Sequence, residues 1–177
     1  MTNRAVFLDR DGTMAKDVNY CARPEDFELF PNTAKAIKLL HEHGLKVIVV
    51  TNQSGIARGY FTEETLAQIH EKMKEELAKE GAWVDGIYYC PHHPDDNCDC
   101  RKPKPKMVLQ AAKEYDIDLK HSFVVGDLEI DIGLGKAVGC HTILISPNPG
   151  YDDQKQETPD YITSDLYQAA RWIVSQK

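Results

Sequence analysis

The sequence predicts an α/β fold, a parallel sheet with helices on both faces. Two observations carry the prediction. Short runs that are apolar on both faces, such as Leu45-Lys-Val-Ile-Val-Val50 and Phe123-Val-Val-Gly126, alternate with segments of helical period, which is the pattern of parallel strands buried between helices. Three such runs then stop at polar side chains, Asp9, Thr51 and Asp127, and doubly wound sheets bind ligands outside the carboxyl ends of their strands. No repeat or internal linker interrupts the 177 residues, so a single domain over 1–177 is expected.

Residues 5 to 13, Ala-Val-Phe-Leu-Asp-Arg-Asp-Gly-Thr, read as a buried strand that delivers chemistry at its end. Alternation along a strand would place Asp9 and Asp11 on one side and Arg10 on the other. Two carboxylates that close raise the pKa of one partner unless a cation sits between them, which implies a bound metal, a shared proton, or both in turn. Such a pair suits phosphoryl chemistry, in which one carboxylate attacks phosphorus, the other handles a proton and Mg²⁺ neutralises oxygens. The plainer alternative is a turn in which Asp9 and Asp11 merely cap amides. Gly12 lets the backbone turn.

Residues 14 to 30 show no period and read as a loop above the strand end. A helix follows over 32–43, with Asn32 or Thr33 as cap, Ala34, Ile37 and Leu40 on one face and Gly44 as terminator. After the strand 45–50, Thr51-Asn-Gln-Ser-Gly55 offers hydroxyl and backbone N–H donors for phosphoryl oxygens. A second helix, about 63–80, carries Leu66, Ile69, Met73 and Leu77 on one face and stops at Gly81. Val84 to Tyr89 is the next strand.

Cys90, His92, Cys98 and Cys100 then fall within eleven residues. Three thiols and an imidazole make a complete tetrahedral zinc set with no open position, so a structural metal in a short loop at about 90–101 is expected. His93 is the alternative fourth ligand, and His92 is preferred because its spacing mirrors that of the cysteines. A Cys98–Cys100 disulfide is disfavoured by its very small ring. The run Arg101-Lys-Pro-Lys-Pro-Lys106 follows at once, so this loop could hold Arg101 and Lys102 at fixed geometry for a phosphate. Met107 to Tyr115 is helical, with Pro105 in its first turn. The strand Phe123–Asp127, a helix through Ala137 to Gly139, the strand His141–Ile145 and a helix from about Asp165 to Val174 complete the alternation. Asp131, at a helix start, could cap that helix or support the site. Residues 146 to 160 read as a mobile loop.

Composition narrows the function. A net charge of -7 argues against a nucleic-acid partner. No stretch of about 18 apolar residues is present and the N-terminus is polar, so the expectation is a cytoplasmic protein with no membrane partner. Five cysteines without an export signal point to thiols or metal ligands. A monomer is expected, because no apolar stripe stands apart from the core periods.

Asp9-Arg-Asp-Gly-Thr13, Thr51-Asn52, Lys102 and Gly126-Asp127 resemble the four ordered motifs of the haloacid dehalogenase (HAD) superfamily of phosphatases. Thr51 to Gly59, Tyr88 to Pro94 and Cys98 to Pro103 are similar to motifs of its histidinol-phosphate and heptose-bisphosphate phosphatase branch. The similarity covers about residues 4 to 145. It implies a three-layer Rossmann-like fold without a large cap domain, a small phosphorylated sugar as substrate, removal of the 7-phosphate of D-glycero-D-manno-heptose 1,7-bisphosphate, Mg²⁺ catalysis and a structural Zn²⁺. It further implies Asp9 as nucleophile, Asp11 as acid and base, and Thr51 and Lys102 as stabilisers of the phosphoryl group. Mg²⁺ would be held by Asp9, Asp127 and the carbonyl of Asp11. Substrate would be met by Asp17, Val18, Asn19, Tyr20, Asn52, Gln53, Ser54, Gly55 and Arg101. Two features depart from the family pattern: the segment between His92 and Cys98 is short, and Leu128 stands where a cation is common. Histidinol phosphate is the alternative substrate, and a zinc-stabilised interaction module is the non-enzymatic alternative.

Overall fold

Every residue of β1 (Arg4–Leu8) after Arg4 is apolar and fully buried, so the strand must be covered on both faces. Alternation sends Val6 and Leu8 into one hydrophobic cluster and Ala5 and Phe7 into another. In the computed structural model, which describes residues 1–147 and 157–176, β1 is a central strand. The chain continues through α1 (Thr33–Glu42), β2 (Leu45–Asn52), α2 (Glu63–Lys79), β3 (Gly86–Cys90), α3 (Lys106–Tyr115), β4 (Phe123–Gly126), α4 (Glu129–Val138), β5 (His141–Ile145), β6 (Tyr161–Thr163) and α5 (Leu166–Ser175). The six strands form one parallel sheet in the order β3-β2-β1-β4-β5-β6. Residues of α1, α2 and α5 fill the cluster on one face, and residues of α3 and α4 fill the other. The α/β reading therefore holds, with three layers and no large cap.

Local chemistry sets the helix ends. Thr62 Oγ1 accepts from Thr65 N at 3.1 Å to start α2, and Asp165 Oδ1 accepts from Gln168 N at 2.8 Å to start α5. Asn32 is the N-cap of α1 but makes no side-chain bond there. Thr33 Oγ1 instead donates to Met14 O at 2.7 Å and ties the helix to the loop after β1.

The structure differs from the sequence reading at several ends. β2 runs through Thr51 and Asn52, where it still pairs with β3. β3 begins at Gly86 rather than at Val84, because Asp85 turns its carboxylate onto the edge of β2 and accepts from Val47 N at 2.7 Å. Pro105 is the N-cap of α3 and lies outside its first turn. The strand β6 has no counterpart in the reading, since three half-exposed residues carry no burial pattern. Of the loop expected at 146 to 160, residues 148 to 156 lie outside the described residues. Among the described residues no helix is long and apolar enough to cross a membrane.

Candidate active site

β2, β1 and β4 are neighbours in the sheet, so Asp9, Thr51 and Asp127 converge at their carboxyl ends although up to 118 positions separate them, 127 less 9. Asp9 continues the ladder by donating its N–H to Val125 O at 3.0 Å. Lys102 reaches the same point from the loop between β3 and α3. Asn52 clamps its backbone, with Lys102 N donating to Asn52 Oδ1 at 3.0 Å and Asn52 Nδ2 donating to Lys102 O at 3.4 Å. Lys102 Nζ then donates to Asp9 Oδ1 at 2.9 Å, Val50 O at 3.0 Å and Asp131 Oδ1 at 2.8 Å. Burial alone would lower its pKa, but the charges of Asp131 and Asp9 outweigh burial and raise it. The amine therefore stays a cation inside the protein.

Two glycines make room for the acids. A Cβ on Gly12 would fall 2.1 Å from Asp127 Oδ2, and a Cβ on Gly126 would fall 2.2 Å from Asp131 Cγ. Carboxylate oxygens of Asp9, Asp127 and Asp131 consequently lie within 4.8 Å of one another. Burial first, and then the charge of Asp9, push the Asp127 carboxyl up to about 8. Its Oδ1 is buried without a hydrogen-bond partner. An all-oxygen donor set with an orphaned carboxylate oxygen fits a hard divalent cation such as Mg²⁺.

Asp11 has a different environment. Arg10 Nε donates to its Oδ1 at 3.1 Å and Arg10 Nη2 to its Oδ2 at 2.9 Å, while Gln53 Nε2 donates to Oδ2 at 3.1 Å. Burial raises its pKa against the opposing charge of Arg10. The expectation that Arg10 points away is corrected here. β1 ends at Leu8, so strand alternation does not extend to residues 10 and 11, and the arginine side chain folds back onto its neighbour.

These groups open on a cleft of about 220 Å³ lined by Asp9, Asp11, Asp17, Asn19, Tyr20, Thr51, Asn52, Gln53, Ser54, Arg101 and Lys102, with Leu128 and Ile130 alongside. Val18 is exposed beside it and does not line it. Gly55 does not line it either, because its α-carbon packs against Phe61, whose Cε1 would lie 2.3 Å from an added Cβ. Asn19 and Tyr20 hold left-handed backbone at φ 54° and 70°, a conformation that costs energy in non-glycine residues. Arg101 Nη1 is buried without a partner. Larger hollows occur along α2 and between Phe30 and Tyr167, of about 670 Å³ and 410 Å³. Among the described residues, the buried lysine and paired carboxylates meet at the smaller cleft instead.

Cys90, His92, Cys98 and Cys100 each offer a ligand atom within 4.8 Å of the others. Cys90 Sγ lies 3.6 Å from Cys98 Sγ and Cys98 Sγ lies 3.8 Å from Cys100 Sγ, close to the ~3.8 Å between sulfurs at tetrahedral zinc, whereas Cys90 Sγ and Cys100 Sγ are nearer to each other at 2.7 Å. His92 Nδ1 lies 3.6 Å from Cys90 Sγ and 3.2 Å from Cys100 Sγ. His93 is engaged elsewhere, since its Nδ1 accepts from Asp95 N at 3.1 Å. The geometry thus favours His92 over His93.

Asp131, expected to cap a helix or to support the site, does both by accepting from Leu128 N and from Lys102 Nζ, and His70 is the residue missed. Asp131 is almost wholly buried, and its place near a helix start was a visible signal of a supporting role. His70 falls on the buried face of α2 with Leu66, Ile69, Met73 and Leu77, so the helical period placed it inside, but nothing local showed what it would meet.

A HAD-hydrolase-like family model matches residues 99–169. A D-glycero-beta-D-manno-heptose-1,7-bisphosphate 7-phosphatase of Helicobacter pylori strain J99 is 46% identical over 150 residues, covering 84% of this chain and 86% of the relative. The chain belongs to the heptose-bisphosphate phosphatase branch of the HAD-like family. A member with the same name from Haemophilus ducreyi is 38% identical over 181 residues, covering 98% of this chain and all of the relative. The crystal structure of a D,D-heptose 1.7-bisphosphate phosphatase from B. bronchiseptica, complexed with magnesium and phosphate, superposes with a TM-score of 0.88 at 34% identity, covering 98% of this chain and 99% of that one.

Proposed function

We propose that the protein is a Mg²⁺-dependent phosphatase that removes the 7-phosphate of D-glycero-D-manno-heptose 1,7-bisphosphate through an aspartyl-phosphate on Asp9. The observation that carries the chemistry is the position of Lys102 Nζ, 2.9 Å from Asp9 Oδ1, with Asp11 facing the same cleft. The choice of sugar rests on the relatives, which carry that activity in their names. The chain is taken as one phosphatase domain over 1–177.

Asp9 attacks phosphorus, and the bond to the sugar oxygen breaks. Asp11 gives its proton to that departing oxygen, and burial raises the pKa of this carboxyl against the opposing charge of Arg10. The same carboxylate then takes a proton from the water that hydrolyses the aspartyl-phosphate. Lys102 supplies a fixed cation beside the nucleophile, and Thr51 lines the same cleft, where its hydroxyl would donate to the transferred group. Asp9, Asp127 and the carbonyl of Asp11 would hold Mg²⁺, with Asp131 close by. When bound, Mg²⁺ supplies charge neutralisation on the phosphoryl oxygens. The unpartnered Arg101 Nη1 suits the second phosphate of the sugar. Cys90, His92, Cys98 and Cys100 are assigned to a structural Zn²⁺ that fixes the loop carrying Arg101 and Lys102.

Phosphate release with Mg²⁺ from the heptose bisphosphate, from histidinol phosphate and from other sugar phosphates tests the reading. Highest kcat/KM is expected on the heptose bisphosphate, because histidinol phosphate would bring cationic groups toward Arg101. Higher efficiency on histidinol phosphate would overturn the substrate assignment.

A further inference from the structure

Arg10 is fully buried, yet it lies directly behind a carboxylate that faces the cleft. Its guanidinium is used from two sides. Nε and Nη2 grip Asp11 at 3.1 and 2.9 Å, while Nη1 lies 3.1 Å from His70 Nε2. Arginine carries donors and no acceptor, so His70 Nε2 must be the acceptor and its proton must sit on Nδ1. His70 is 7% exposed. Burial first, and then the charges of Arg10 and Lys74, hold its pKa down to about 3, in keeping with a neutral ring that accepts from Arg10. The guanidinium carbon also lies over the Phe27 ring, 5.8 Å from its centroid.

The remaining contact to Asp11 is Gln53 Nε2, which is itself bound to Thr51 Oγ1 at 2.9 Å. Asp11 therefore has no freedom to rotate without breaking a bidentate pair whose far end is anchored on α2. We propose that His70 and Arg10 are positioning residues for Asp11, a relay in which the helix α2 fixes the orientation of the carboxyl that hands a proton to the leaving oxygen. Neither residue reaches the cleft, so neither is a catalytic group. The inference rests on the assignment of Asp11 as the proton donor.

An ordinary core role for His70 would give a different kinetic signature. Proton donation matters for a sugar alkoxide and far less for a phenolate that leaves unaided, and kcat/KM reports the steps up to departure of that group. The test compares the full chain with Mg²⁺ on the heptose bisphosphate and on p-nitrophenyl phosphate, in wild type, His70→Leu and His70→Gln. His70→Leu removes the acceptor, whereas His70→Gln keeps one in a side chain of similar reach. On the sugar, kcat/KM for His70→Leu should fall at least about tenfold, mainly in kcat, and on p-nitrophenyl phosphate less than about threefold. His70→Gln should recover most of the difference.

Equal losses on the two substrates, or wild-type kinetics in folded His70→Leu, would refute the relay. Failure of Gln to restore the sugar reaction in a folded protein would also refute it. If His70→Leu does not fold, Arg10→Lys provides the same comparison, since it keeps the charge but loses the bidentate grip, and equal losses there refute the relay as well. Absence of wild-type turnover on the heptose bisphosphate would instead overturn the substrate reading. The relay would then be judged on whichever alkyl phosphate the wild type does hydrolyse.

Discussion

Gly12 lies under Asp127: a Cβ added to Gly12 would fall 2.1 Å from Asp127 Oδ2, and the Gly12 backbone is left-handed at φ +87°. The first position after the Asp9-Arg10-Asp11 turn is thus fitted to an acid 115 residues later, 127 less 12. Gly12→Ala would meet a left-handed backbone cost of about 1–2 kcal/mol and must also displace Asp127. A Tm lower by about 3–8 °C is expected, together with weaker Mg²⁺ dependence of turnover. Wild-type Tm and an unchanged Mg²⁺ titration of activity would show that Asp127 is not held in this way.

Asp9 and Asp11 should not be exchangeable, because their surroundings differ. Lys102 Nζ donates to Asp9 Oδ1 at 2.9 Å, whereas Asp11 is gripped by Arg10 and its pKa is raised by burial. Asp9→Asn should abolish turnover and phosphoenzyme formation. Asp11→Asn should slow turnover by about a hundredfold or more yet leave phosphate binding intact. Appreciable turnover by purified Asp9→Asn would sink the nucleophile assignment.

The cysteine loop should matter to stability before it matters to chemistry, since a closed four-ligand site leaves no position for water. Elemental analysis should find about one zinc per chain. Cys98→Ser should lower Tm and raise KM more than it lowers kcat, because Arg101 and Lys102 follow the last ligand directly. Metal-free protein with full stability and activity would contradict this role.

His70 gives a pH prediction with a definite sign. Its pKa falls from 6.5 in the unfolded chain to about 3 in the fold, so the unfolded state binds the extra proton between those values. The contribution to stability is intact above about 6.5 and is lost as pH falls toward 3, by up to about 1.4 kcal/mol per pH unit. The stability advantage of wild type over His70→Gln should therefore shrink through this window in urea titrations. A difference that stays constant from pH 7 to pH 4 would mean that His70 is not held neutral by burial and Arg10.

Several features could be read from the residues alone, because they depend on local chemistry. Apolar runs such as Val47 to Val50 fit strands covered on both faces, and the periods of α1 and α2 follow from Ile37, Leu40, Ile69 and Met73. The strands that end at Asp9, Thr51 and Asp127, and the spacing of Cys90, His92, Cys98 and Cys100, likewise lie within short stretches of chain. Tertiary structure decided what those stretches meet. Strand order put Thr51 and Asp127 on either side of Asp9, and the fold turned Lys102 inward between Asp9 and Asp131, where a basic run read alone would be a solvated surface. It folded Arg10 onto Asp11 once the strand had ended, and it brought His70 to Arg10 across 60 residues. It also brought ligand atoms of His92 and the three cysteines to within 4.8 Å of one another. Periodicity reports which face of an element is buried, but the partner of a buried charge is set by the packing of elements far apart in the chain, and that information exists only once the chain has folded.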